Sequence, residues 1–186
     1  FVNGQSGVRS DLDEGKVDFV IIPRGVIPRS VFDEEGLDYL TIYWEEWVCI
    51  SRKDHPQISG PLTLDLLDAL PSAAYRMDDR SYLHGAIPGR TRPDQLHVPQ
   101  FTLLPLMVAN SDAVAMVQRH VADRFAPILP ITIHELPVAF PRLEVCAFWS
   151  SYHRNDPMHA WLRGQMSEIV AEGRSEWLPA TNGPTL

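Results

Sequence analysis

Apolar and polar positions are most sharply ordered in Leu12-Asp13-Glu14-Gly15-Lys16-Val17-Asp18-Phe19-Val20-Ile21-Ile22-Pro23. The pattern predicts a helix end, a glycine stop and a buried strand. Gly15 can take the left-handed conformation that closes a helix. Val17, Phe19, Val20, Ile21 and Ile22 form a nearly continuous apolar run, as expected of a parallel strand covered on both faces, and Pro23 ends it. In α/β proteins, the loop leaving the carboxyl end of such a strand is where ligands bind.

Further along, Leu40 to Trp44 predicts a short strand, and Trp47-Val48-Cys49-Ile50-Ser51 another, β-branched and aromatic, closed by Asp54-His55-Pro56. A helix opens after Gly60-Pro61, with Thr63 as N-cap and Leu64, Leu67 and Leu70 facing inward. Ala73 to Arg76 predicts a strand. Asp78 to Pro99, polar and rich in Gly, Pro and Arg, predicts a long loop. Phe101 to Met107 is extended or an early helix, broken at Pro105. Asn110-Ser111-Asp112 then caps an amphipathic helix over Ala113 to Phe125. Ile131 to Ile133 and Leu143 to Trp149 are strands. The last helix runs from Pro157 to about Gly173, with Met158, Trp161, Leu162, Met166, Ile169 and Val170 on one face. The tail from Leu178 frays. Strands and helices alternate, and the strands fall into two groups joined by connecting strands. The expectation is an α/β protein of two lobes, connected twice, with a cleft between.

The chain has 186 residues, enough for one sizeable core or two small lobes, and a formal net charge of -8. That charge repels DNA, and Arg80, Arg90 and Arg92, the nearest approach to a basic cluster, sit among Gly, Pro and Asp. DNA contact is therefore not expected of this chain. No apolar run approaches the ~20 residues that span a bilayer, so no membrane partner is expected. Phe1-Val2-Asn3-Gly4 lacks the features of a signal peptide, and a start at Phe1 rather than Met suggests a piece of a longer protein. Cys49 and Cys146 lie in apolar runs and read as core residues of a cytoplasmic protein, with a redox pair as the other reading.

Leu12-x-x-Gly15-x-Val17-Asp18-Phe19-Val20-Ile21 resembles a signature of LysR-type transcriptional regulators. So do Trp47 to Pro56, Leu62-Thr63-Leu64-Asp65-Leu66, Val108 to Val117, and the closing Trp149, Asp156-Pro157 and Trp161-Leu162-Arg163. The order and spacing across roughly residues 12 to 170 resemble most the branch of nodulation and aromatic-degradation regulators. The resemblance implies a two-lobed, type 2 periplasmic-binding-protein-like fold with an effector cleft at its hinge. Lobe I would be 1–46 plus 135–186, N-terminally incomplete, and lobe II 47–134. It implies the effector-sensing domain of a regulator, binding a small aromatic or carboxylic molecule. DNA would be bound by an absent N-terminal winged helix-turn-helix, and the whole would be a homodimer or homotetramer. The alternative is a solute-binding protein of the same fold.

The candidate effector-binding residues are Pro23, Arg24, Phe101, Thr102, Asn110, Ser111 and Trp149. Arg24 leaves the first strand and can pair bidentately with a carboxylate. Asn110 and Ser111, at a helix entry, offer backbone N–H groups to a polar or anionic group, or simply cap the helix. The resemblance places Phe101 and Thr102 on a cleft-facing strand, where Phe101 could stack on an aromatic effector or serve the core. Trp149 reads more readily as core, and His84 as a solvent-facing histidine. His153 and His159 are not at a metal-ligand spacing, so no metal is expected. Ser150 to Asp156 crowds Ser, His and Asp together, but triad members come from distant positions, and no catalytic motif is present. No enzyme activity and no cofactor are expected.

Overall fold

The computed structural model describes residues 8–24, 36–77, 80–81 and 96–177. The chain divides into two compact units, residues 1–44 with 143–186, and residues 45–142. The sequence puts these divisions at 46 and 134. Glu135 to Arg142 falls with the second unit because Leu136, Val138 and Phe140 pack on one of that unit's apolar clusters.

In the first unit, α1 (Val8–Asp13) is followed by Gly15, at φ +67°, so the glycine stop is as expected. Strands β1 (Val20–Arg24) and β2 (Leu37–Glu45, which runs to the unit boundary) flank β9 (Leu143–Ser150) in a three-stranded sheet. Here the expectation for β1 needs correction. It pairs antiparallel with β9, Val20 opposite Phe148 and Arg24 opposite Glu144, and among the described residues it lies at the sheet edge with Ile21 exposed. Pro23 stands inside the strand rather than ending it, because an edge strand tolerates a residue with no N–H to donate. Buried Val145, Cys146, Ala147 and Phe148 make β9 the centre of this unit's core.

Helix α5 (Pro157–Trp177) begins where Asp156 Oδ1 accepts from the His159 backbone N at 3.0 Å, with Pro157 as its first residue. The expected single apolar face splits in two. His159 is buried and Leu162, Met166 and Val170 are half-buried, while Met158, Trp161 and Ile169 are exposed. The two sets differ by one position, a turn of about 100° on the helix.

The His159 backbone bond holds the Asp156 carboxyl below its ordinary value, outweighing slight desolvation. A depressed carboxyl stabilises the fold above the unfolded value of about 4 and loses that stabilisation as pH falls through the lower folded value. Asp156→Asn keeps a good cap but removes the titration. Thermal melts from neutral to acid pH should show a shallower acid-side loss for the variant than for the wild type. Parallel acid limbs would show that this carboxyl contributes nothing.

In the second unit, β3 (Trp47–Arg52) pairs antiparallel with both β7 (Val114–Gln118) and β8 (Ile131–His134). Strand β4 (Ser72–Met77) pairs parallel with β7 and with β6 (Leu96–Val98), and antiparallel with the two-residue β5 (Arg80–Ser81). Alternate residues go to opposite faces. Val48, Ile50, Ala115 and Val117 join Leu104 and Val108 of α3 (Leu104–Ala109) and Ala122 of α4 (Arg119–Phe125). Cys49, Val114 and Met116 join Leu62, Leu70 and Leu67, the last on α2 (Leu64–Ala69). Thr63 caps α2, accepting from Leu66 N at 3.2 Å, but Leu64 is exposed rather than inward. Cys49 and Cys146 are buried and not in a disulfide, and burial pushes the Cys146 thiol up.

Three other expectations change. Ala113 to Phe125 is not one helix but β7 followed by α4. Pro105 does not break a helix: it lies in the first turn of α3, after a 3-10 turn at Phe101–Leu103. Leu96–Val98, expected in a loop, is strand β6. His84, Arg90 and Arg92 lie outside the described residues. Among the described residues no helix is long and apolar enough to cross a membrane.

Candidate functional site

The antiparallel register sets Trp47 opposite Gln118, which brings the start of β3 beside the start of α4. Arg119 N donates to Glu46 O at 2.8 Å, fixing the two segments together. Their side chains then meet two more charges from β8's far end and from the last residue of the unit. Arg142 Nη2 lies 2.5 Å from Glu46 Oε1, Arg119 Nε lies 3.4 Å from Glu46 Oε2, and Arg119 Nη2 lies 2.7 Å from both Glu135 oxygens. Burial alone would lower the Arg119 pKa, but the Glu135 bond and the nearby charges of Glu135, Glu46 and Asp123 hold it above the usual value.

This chain of charges forms one side of a pocket of about 180 Å³. The other side is apolar: Trp47, Leu136, Val138 and Phe140, with the Trp47 and Phe140 rings edge-on at 6.1 Å. Beside it, Glu45 is buried and its carboxylate takes His120 Nδ1 at 3.0 Å and Glu46 N at 3.1 Å. Glu46, Arg119, Glu135 and Arg142 were not legible as a group, because only strand register joins residues up to 96 positions apart.

Ser51 Oγ lies 2.8 Å from His134 Nε2, the spacing of a nucleophile and its base. However, the Ser51 hydroxyl donates to Arg52 O at 3.0 Å, so the histidine serves as the donor of that pair. Desolvation, then the charge of His55, lowers the His134 pKa.

The sequence-derived candidates are placed as follows. Arg24 is bound to Glu144 Oε2 at 3.2 Å and lies over the Tyr39 ring at 4.5 Å, with Pro23 half-buried beside it in β1. Trp149 is core, tilted against Phe19 at 5.7 Å and covered by the Arg163 guanidinium at 5.0 Å. It stands five residues along β9 from Glu144, roughly 17 Å at strand spacing, so Arg24 and Trp149 do not converge. Phe101 is half-buried against Tyr75 at 6.3 Å, and Thr102 is exposed. Asn110 and Ser111 end α3 instead of opening a helix. Asn110 Nδ2 donates to Leu106 O at 2.9 Å and Ser111 Oγ to Met107 O at 2.8 Å, so the helix-entry argument for anions does not apply there. His153 and His159 stack at 4.2 Å, with His159 Nε2 3.3 Å from Asp18.

The family model described as the LysR substrate binding domain matches residues 1–170. The chain belongs to this LysR family. HTH-type transcriptional regulator SyrM 1 of Sinorhizobium fredii is 27% identical over 161 residues, covering 84% of this chain and 46% of that protein. Nodulation protein D 1 of Rhizobium tropici is 27% identical over 162 residues, covering 82% of this chain and 49% of that protein. The chain thus spans about half the length of the curated relatives it matches. A probable transcriptional regulator from Pseudomonas aeruginosa superposes with a TM-score of 0.76 at 22% identity, over 90% of this chain and 55% of that one. These likenesses agree with the nodulation-type branch and with the α/β, periplasmic-binding-protein-like fold that the sequence motifs implied.

Proposed function

We propose that this chain is the effector-sensing part of a cytoplasmic LysR-type transcriptional regulator. The observation that carries this reading is the family match across residues 1–170. A small molecule binds the domain and favours one of its conformations, and the difference in affinity between conformations is the whole of the signal. DNA is bound by another part of the regulator, since this chain carries a net charge of -8. The regulator works as a homodimer or homotetramer and performs no chemistry on its effector. In the second unit, Thr102, exposed, and Phe101, half-buried on Tyr75, are the residues we propose for effector contact.

A thermal-shift screen of the domain against aromatic acids, flavonoids and common metabolites tests this. A ligand at ~100 times its Kd should add about 2.7 kcal/mol of stability. The same ligand should change operator affinity of the intact regulator by roughly 5- to 150-fold. A hit that leaves operator affinity unchanged would sink the reading.

A further inference from the structure

We propose that the pocket of the second unit, between Arg119 and the Trp47–Phe140 wall, binds a small monocarboxylate with a flat apolar body. This site is separate from the effector contact proposed above. Phe101 packs on the apolar cluster at one face of the sheet, whereas Trp47 and Phe140 pack on the cluster at the other. The proposal therefore stands or falls independently of that reading.

The argument starts from exposure. Of the four charged side chains, Glu135 is the most exposed, at 77%, while its partner Arg119 is only 26% exposed and Arg142 47%. An ion pair with so exposed a member contributes little, so Glu135 can leave Arg119 at small cost. Glu46 is bound by both arginines and stays. With Glu135 gone, Arg119, Arg142 and Glu46 leave one net positive charge at the polar end. Asp123, one turn along α4, adds a more distant negative charge. A monocarboxylate replaces Glu135 on Arg119 charge for charge, whereas a cation does not. Arg119 Nη2, which now lies 2.7 Å from both Glu135 oxygens, is the donor an incoming carboxylate would take over. The pocket measures about 180 Å³, and the Trp47 and Phe140 rings line it. Glu135 is then an internal occupant that a ligand displaces.

Calorimetric titration of the full chain with benzoate, using benzamide as the neutral control, decides the matter. Glu135→Gln removes the internal carboxylate from a side chain exposed enough to leave folding intact. It should tighten benzoate binding at least threefold and leave benzamide unchanged. Arg119→Lys, which keeps the charge but loses the fork, should weaken benzoate at least tenfold. Benzoate binding that is equal in wild type and Glu135→Gln, or that is absent from both, overturns the proposal. So does benzamide binding that follows the same pattern as benzoate.

Discussion

Phe148→Ala should lower the stability of the first unit by about 3–5 kcal/mol, the cost of emptying a buried aromatic site. Phe148 is 1% exposed, sits in the central strand β9 opposite Val20, and lies 5.7 Å from the Tyr39 ring. Domains are stable by only about 5–15 kcal/mol, so the loss is a large fraction of what holds this sheet together. The effect should also be local. Hydrogen exchange should show the amides of β1 and β9 losing protection while those of β3 and β7 keep theirs. Equal loss in both sheets would mean that the two units unfold as one.

Glu45→Ala should cost about 3 kcal/mol by a different route. Glu45, at 3% exposed, accepts from His120 Nδ1, from Glu46 N and, at 3.4 Å, from His120 N. Removing the acceptor takes three bonds from part-buried donors and empties a buried site, which costs more than the bonds themselves contribute. Glu45→Gln keeps one acceptor oxygen and should lose markedly less. Urea unfolding of the three proteins checks the order. A Glu45→Ala midpoint equal to that of the wild type would show that the carboxylate is not held as described.

Much of the framework was legible because local chemistry and tertiary structure agree. Gly15 ends a helix, Thr63 opens one, and the β-branched and aromatic runs at Trp47 and Leu143 are strands. Where the reading failed, a local signal was ambiguous. Val114-Ala115-Met116-Val117 is buried on both faces, and a continuous apolar run has no period to separate strand from helix. Asn110 and Ser111 are as well suited to bonding back to the preceding turn as to capping the next one. Ile21 and Ile22 look like a central strand, yet the sheet puts them at its rim. The site was the least legible part. Trp149 showed its core role in an apolar run, but nothing local to Glu46, Arg119, Glu135 or Arg142 announces that pairing of β3 with β7 and β8 will assemble them.

The central position of β9 sets the order in which this protein can be made. Strands β1 and β2 are not neighbours; each pairs with β9, which begins roughly a hundred residues after β2 ends. The second unit is one continuous stretch of chain, so it can close while β1 and β2 still wait beside the ribosome. At ~5–20 residues per second that wait is on the order of ten seconds. Until then Val20, Ile22 and Ile42 have no β9 to pair with, which makes the stretch before the second unit, rather than the finished fold, a point at which a chaperone has much to protect.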